Sequence, residues 1–111
     1  MRANVYFTRE ITPEKVVELY RALGVELPGK VAVKVHSGEK GNQNFLRPEF
    51  WCPMVEEVHG TIVECNTAYG DAAGGVRDHT ESHRKLLQEH GWTKYFDVDL
   101  MDAEEIAGVL S

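Results

Sequence analysis

The stretch KVAVKV at residues 30–35 and the stretch TIVEC at residues 61–65 decide the fold. Both are short and rich in β-branched residues, and the first is almost continuously apolar, as expected of a central parallel strand covered on both faces. A helical pattern precedes each stretch, and Gly24 and Gly60 end those patterns. Strands that alternate with helices in this way predict a mainly parallel sheet with right-handed crossovers.

Further elements extend the alternation towards both ends of the chain. Additional strands are predicted at residues 4–8 and 94–100, which makes the order β-α-β-α-β-α-β. The three helices are predicted to begin at Thr12-Pro13, at about Pro48 and at Asp78, because residues that cap or open helices stand there.

These elements fit one domain. We expect an α/β fold over residues 1–101, with an open, mostly parallel sheet of about four strands in a three-layer arrangement with helices on both faces. The strand order 2-1-3-4 is the commonest for an open sheet of this size. Residues 102–111 are expected to form a C-terminal tail.

Composition excludes several functional classes. The 18 acidic residues outnumber the 12 basic ones, for a formal net charge of −6, so a nucleic acid partner is not expected. No apolar run approaches the roughly 20 residues that span a bilayer, and the N-terminus lacks the apolar core of a secretory signal. We therefore expect a cytoplasmic protein without a membrane partner, whose two cysteines, Cys52 and Cys65, are plain buried thiols.

A binding site is expected where the strands end. Ligands of open parallel sheets bind outside the carboxyl ends of the strands, and the two longest loops, 36–47 and 66–78, both leave such ends. The predicted ligand-binding residues there are Lys34, Glu39, Glu64, Asn66, Tyr69 and Arg77.

Each of these residues also has a structural interpretation. Lys34 lies within an apolar strand, and a buried ammonium needs a partner, for which Glu64 is the natural candidate. A structural pair and a ligand-facing pair both remain open. The polar turn that contains Asn66 and Tyr69 could equally serve to cap backbone groups.

Metal and catalytic signals are weak. His79 and His83 stand at positions i and i+4 of the predicted third helix, a spacing that puts two metal-binding imidazoles on one helical face. A solvated helix face is the alternative. No nucleophile motif or phosphate-binding glycine motif is present, so the sequence predicts no catalytic residue and no cofactor, and it leaves open whether the chain is an enzyme.

Several runs resemble one known family. The runs that are similar to domain-of-unknown-function family 362 are GKVAVK at 29–34, SGE at 37–39, NFL at 44–46 and GTIVECNTAYG at 60–70, with Arg77, Thr80, His83 and His90-Gly91 downstream. The resemblance covers nearly the whole chain up to about Asp102, and ECNTAYG is its most specific part. It implies the same fold and a relation to iron–sulfur proteins, since many members carry ferredoxin-type cysteine clusters.

The chain departs from that family in three respects. Members are usually a few times longer, and the loop 71–76 looks longer here than the usual one. The two cysteines cannot supply the four thiolates that a [4Fe–4S] cluster needs. The resemblance therefore implies a fold and a set of positions without the cluster, and the family's biochemical role is undefined.

Two functional hypotheses follow. The chain is either a truncated or partner-dependent module without its own iron–sulfur cluster, or a small-ligand-binding or redox-enzyme domain with a site at the strand ends. The first hypothesis predicts a homodimer or a separate partner chain, with the contact near Phe96, Val98 and Leu100 or the tail. The second predicts a small-molecule ligand.

Overall fold

The sheet is built on a parallel pairing of the two stretches that decide the fold. In the computed structural model, which describes residues 2–68 and 75–101, β1 (Val31–Lys34) pairs with β2 (Gly60–Glu64), and Val33 lies opposite Ile62. The short strand β3 (Asp99–Leu100) pairs in parallel with the other side of β2. The described residues thus form an open parallel sheet of three strands in the order β1-β2-β3, in a mixed α/β fold.

The first helix, α1 (Pro13–Leu23), begins and ends where the sequence predicts. The Thr12 hydroxyl accepts a 3.2 Å hydrogen bond from the Lys15 backbone N–H. Pro13 lies in the first turn, where a backbone N–H has no partner within the helix, so the N–H that proline lacks is not needed. Gly24 ends the helix at φ 64°, in the left-handed region that favours glycine.

The second helical region has two parts. A short 3-10 helix at Pro48–Trp51 continues into α2 (Cys52–Val58), so its start agrees with the prediction. The helix ends at His59, which adopts φ 49°, one residue before the expected Gly60. Gly60 is needed for a different reason, because a Cβ atom there would lie 2.8 Å from Cγ2 of Val33 on β1.

Two helices follow the second long loop. The helix α3 (Thr80–Glu89) starts after His79, so the predicted cap at Asp78 is wrong by one position, and no side-chain capping bond forms there. The helix α4 (Trp92–Tyr95) is a single turn that overlaps the first two residues of the predicted strand 94–100. That strand is shortened to β3 because Trp92 is fully buried and holds this turn against the core.

The core lies on one face of the sheet. Val35 and Ile62 pack against Leu87 of α3 and Trp92 of α4, and Val98 completes the cluster. On the other face the side chains of Ala32 and Thr61 are exposed, whereas Val63 is 8% exposed. The described residues do not confirm the four strands and three layers that the sequence predicts.

The predicted first strand, residues 4–8, is absent from the sheet. These residues form no regular structure, and Val5 and Phe7 are 87% and 79% exposed. A β-forming sequence needs a half-buried surface on which to pack, and the segment lies beside α1, away from a strand edge. Because this strand would have stood between β1 and β2, the predicted order 2-1-3-4 is also wrong.

The remaining predictions about the chain ends have separate outcomes. Val98 and Leu100 are 9% and 0% exposed, so they belong to this chain's own interior and are not a free contact surface for a dimer. The predicted tail, residues 102–111, lies outside the described residues. None of the helices that the structure describes has the length and apolarity needed to cross a bilayer.

Candidate functional site

The Glu64 side chain, at the carboxyl end of β2, forms the centre of a buried polar cluster. Its Oε1 lies 2.7 Å from Lys34 Nζ and accepts a 3.0 Å bond from the Cys65 backbone N–H. Its Oε2 accepts bonds from the Ser37 hydroxyl at 2.7 Å and from Arg77 Nη1 at 3.3 Å. The residue is 1% exposed. With the Ser37 backbone N–H, two cations and three neutral donors of the same chain therefore surround this carboxylate.

Arg77 connects the two long loops. Its Nε donates to Glu39 Oε2 at 3.0 Å, while its Nη1 reaches Glu64. The Thr67 backbone N–H donates to the Arg77 carbonyl oxygen at 2.7 Å, which closes the base of the second loop. A guanidinium with several fixed donors can bridge two carboxylates in this way, whereas an ammonium could not hold both with the same geometry.

His83 extends the cluster into α3. Its Nδ1 lies 3.0 Å from Asn66 Oδ1, and its Nε2 lies 3.3 Å from the Ser37 hydroxyl oxygen. Asn66 Nδ2 donates to the Thr80 hydroxyl, so the atom that faces His83 is the amide oxygen, which only accepts. We call Lys34, Ser37, Glu39, Glu64, Asn66, Arg77 and His83 the strand-end cluster.

Ionisation in this cluster is strongly biased. Burial lowers the pKa of His83, and the neighbouring Glu64 carboxylate only partly opposes this. Burial alone would raise the pKa of Glu64, but the bonds from Lys34, Ser37 and the Cys65 N–H outweigh it and lower that pKa. Burial also opposes ionisation of Glu39, and the Arg77 hydrogen bond with two backbone N–H groups lowers its pKa overall. The cluster thus holds two carboxylates charged and one imidazole neutral.

The backbone at Ser37 is held from a second direction. Its carbonyl oxygen accepts hydrogen bonds from His90 Nδ1 at 2.9 Å and from Trp92 Nε1 at 3.0 Å. The next residue, Gly38, adopts φ 94°, and a Cβ atom there would lie 2.5 Å from the Phe45 ring. The turn after β1 is therefore fastened to both α4 and the buried carboxylate.

The structure brings together most of the predicted ligand-binding residues. Those that converge on the strand-end cluster are Lys34, Glu39, Glu64, Asn66 and Arg77. Tyr69 lies outside the described residues. Whether the converging residues bind a ligand stays a prediction.

The ligand-binding residues predicted from the sequence do not include two members of the cluster, Ser37 and His83. Ser37 enters the sequence analysis only in the run SGE at residues 37–39, and His83 is predicted there as one of a metal pair. A usable signal existed for His83, because it precedes Leu86 and Leu87 by three and four positions and so shares their buried helical face. No comparable signal marks Ser37.

The predicted metal pair does not share a surface. The side chain of His79 is 64% exposed, whereas His83 is fully buried with both ring nitrogens facing Asn66 and Ser37. Residues 2–68 and 75–101 contain no group of three or more histidine, cysteine or acidic side chains placed to hold a metal ion.

The hydroxyl, imidazole and amide of Ser37, His83 and Asn66 stand in the order used for nucleophilic catalysis. The geometry nevertheless differs from that of an activated nucleophile. The Ser37 hydroxyl donates its single proton to Glu64, the shorter of its two contacts, and Ser37 is 0% exposed. Its backbone N–H also binds Glu64, at 3.1 Å. The arrangement fixes the turn after β1 and presents no hydroxyl to a substrate.

The described clefts lie elsewhere. A cleft of about 520 Å³ separates α1 from α2 and is lined by Glu14, Glu18, Arg21 and Glu57 among others. Arg21 spans these helices, and its two nitrogens bind the Glu57 carboxylate at 2.7 Å each. This cleft, two further clefts beside α1 and one beside the start of α3 are lined by residues outside the strand-end cluster.

Comparison with known proteins identifies no relative: no family model, no curated protein and no solved structure matches this chain. The iron–sulfur clusters that many members of the resembled family carry do not fit the thiols of this chain. Cys52 is half-buried at the start of α2, and Cys65 is exposed after β2, so the expectation that both thiols are buried is wrong for Cys65. Two thiols cannot complete the four-thiolate set of a [4Fe–4S] cluster.

Proposed function

We propose that this chain is a non-catalytic α/β module that works in association with another polypeptide chain and carries no iron–sulfur cluster of its own. The observation that carries the proposal is the state of Glu64. This carboxylate is 1% exposed and is already bound by Lys34, Ser37, Cys65 and Arg77. A group saturated in this way stabilises the junction of two strand ends and has little capacity left for a ligand.

Exposed apolar surface supports the association with another chain. Val5, Phe7 and Ile11 are 79–87% exposed, and the side chains of Ala32 and Thr61 on the sheet are also exposed. Apolar surface left in water marks interaction sites in soluble proteins when it forms a patch. We further propose that the four-stranded sheet with helices on both faces, which the sequence predicts, is completed only in the assembly.

The strand-end cluster also supports membership of domain-of-unknown-function family 362. The runs on which that resemblance rests contain Ser37, Glu39, Glu64 and Asn66, and Arg77 and His83 stand downstream. These side chains form one hydrogen-bonded unit, so a common structural requirement would explain why they occur together. A cytoplasmic location is likewise proposed, since the unpaired thiols Cys52 and Cys65 suit a reducing compartment.

A second candidate is a small anionic ligand bound at the strand ends. It is favoured by the convergence of Lys34 and Arg77, two cations from different loops, on one edge of the sheet. In this candidate the Lys34 ammonium, whose side chain is 55% exposed, would contact the ligand as well as Glu64.

One experiment separates the two candidates. The thermal stability of the chain is measured with inorganic phosphate, sulfate, citrate and ATP, for the wild type, for Lys34→Met and for the control Lys30→Met, which alters an exposed lysine just before β1. The module hypothesis predicts that no anion stabilises the chain. It also predicts that Lys34→Met, but not Lys30→Met, lowers the free energy of unfolding by about 1 kcal/mol, since half-exposed ion pairs contribute little. Saturable stabilisation that disappears in Lys34→Met but persists in Lys30→Met would establish the ligand site instead.

A further inference from the structure

One edge of the sheet is open in the described part of the chain. β1 pairs with β2 on one side and has no strand on the other. The Val35 N–H donates to the Val63 carbonyl at 3.4 Å. Since peptide groups alternate in direction along a strand, the N–H and C=O groups of Ala32 and Lys34 point away from β2. An edge with free backbone groups is a template for one more strand.

The same chain carries a segment suited to that edge. Residues 4–8, NVYFT, consist largely of β-forming residues. They form no regular structure and lie beside α1, where Tyr6, Phe7 and Thr8 border a shallow cleft with Leu19. Phe7 is 79% exposed in this position. The segment thus has strand chemistry without a strand partner.

We propose that residues 4–8 of one copy of this chain add as a strand to the β1 edge of a second copy, and reciprocally, to form a two-fold dimer. This inference rests on the proposed association with another chain and names that chain as a second copy. Both complementary elements occur in every copy, and their lengths match, five residues against the four of β1. Reciprocal exchange satisfies both elements at once in a closed dimer.

The surface first expected to form a dimer contact does not compete with this arrangement. Val98 and Leu100 are buried within their own chain. The apolar side chains that remain in water are concentrated in the N-terminal segment and at the end of α1. Adding residues 4–8 outside β1 would give each sheet a fourth strand.

The test compares the oligomeric state of four full-length chains by sedimentation velocity at tens of micromolar. The double variant Val5→Lys/Phe7→Lys changes the added segment. Ala32→Pro removes an outward N–H from the edge while leaving the β1–β2 hydrogen bonds in place, which an edge strand tolerates. The control Leu23→Lys/Leu27→Lys replaces two other exposed apolar residues with the same change in charge.

We expect dimers for the wild type and the control, and monomers for the other two variants. Amide hydrogen exchange provides a second readout that does not depend on the variants. Residues 4–8 and Ala32 should be protected at high protein concentration and lose that protection on dilution. Far-ultraviolet circular dichroism establishes whether Ala32→Pro is folded. If Ala32→Pro is unfolded, the double variant Val5→Lys/Phe7→Lys and the hydrogen exchange data still test the proposal.

Several results would overturn the proposal. They are a monomeric wild type, a dimer that survives both changes, and protection of residues 4–8 that is independent of concentration, which would show pairing within one chain. A monomeric wild type leaves the proposed function standing with a different partner chain. Stabilisation by an anion that depends on Lys34 would contradict the proposed non-catalytic module, whatever the oligomeric state of the chain.

Discussion

The Ser37 hydroxyl donates a 2.7 Å hydrogen bond to Glu64 Oε2, and both residues are almost completely buried. This contact joins the turn after β1 to the end of β2. Because the Ser37 carbonyl is held by His90 and Trp92, the same residue also connects the sheet to the helices of the core. The contact explains why a small polar residue occupies a fully buried position.

Ser37→Ala is expected to lower the free energy of unfolding by about 1.5–3 kcal/mol, the range for a hydrogen bond to a charged group. Loss of the hydroxyl leaves a buried carboxylate with one donor fewer. Urea denaturation measures the change. The control is Thr93→Ala, whose side chain is exposed, and which should stay within about 0.5 kcal/mol of the wild type. Equal effects of the two changes would contradict the structural role of Ser37.

His83 makes stability depend on pH. Its pKa in the folded chain lies below the ordinary value of 6.5, chiefly because of burial, so the unfolded chain binds the proton more readily. Stability should therefore fall as the pH decreases below about 6.5 and continue to fall until the folded pKa is passed. Denaturation curves between pH 7.5 and pH 5 should show a shallower dependence for His83→Gln. Identical slopes would mean that the imidazole is not held neutral.

The carboxylates of Glu39 and Glu64 make stability depend on pH in a more acidic range than His83 does. Both Glu39 and Glu64 have folded pKa values below the ordinary 4.5, so each contributes stability that is present above that pH and is lost as the pH falls through the folded value. Glu64→Gln should lower stability at pH 7 and reduce the loss between pH 4.5 and pH 2. Acid denaturation followed by circular dichroism measures both effects. An unchanged acid transition would contradict the ionised state assigned to Glu64.

Arg77→Lys is expected to destabilise the chain although the charge is kept. The guanidinium binds Glu39 through Nε and Glu64 through Nη1, and a single ammonium cannot reproduce both contacts. We expect a loss of about 1–3 kcal/mol in the free energy of unfolding. Arg9→Lys, at an exposed position, is the matched control and should have little effect. If the two changes were equivalent, the bridge would contribute no more than an exposed charge.

Gly38→Ala tests the close packing of the turn. Both Gly38 and Gly41 adopt positive φ, at 94° and 75°, so alanine is strained at either position. Only at Gly38 would the new Cβ atom meet a side chain, 2.5 Å from the Phe45 ring, whereas nothing lies within 4 Å at Gly41. Gly38→Ala should therefore cost roughly 1–3 kcal/mol more than Gly41→Ala in urea denaturation, as overpacking does. Equal costs would show that the Phe45 ring moves aside freely.

The purified chain is expected to be colourless, because two cysteines cannot bind a four-thiolate cluster. Anaerobic reconstitution with iron and sulfide, followed by metal and sulfide analysis, gives the measurement. Cys52→Ala/Cys65→Ala is the control for adventitious iron. Stoichiometric iron and sulfide with visible absorption in the wild type alone would overturn this prediction.

The sequence by itself determined the elements whose signals are local. The cap at Thr12, the stop at Gly24 and the strands at residues 31–34 and 60–64 follow from capping chemistry, backbone freedom and apolar runs. Because the carboxyl ends of parallel strands lie at one edge of a sheet, the meeting of Lys34 with Glu64 could also be predicted.

Only the tertiary structure decided how those local elements are used. Residues 4–8 have strand chemistry but lack a strand partner within the described chain, since β-propensity acts only where a surface is available for packing. Residues 92–95 form a helical turn because burial of Trp92 outweighs the alternating pattern that follows it. His83 lies among Ser37, Glu64 and Asn66 because long-range packing places α3 there. Contacts between residues so distant in the chain depend on the packing of whole elements, which no local pattern records.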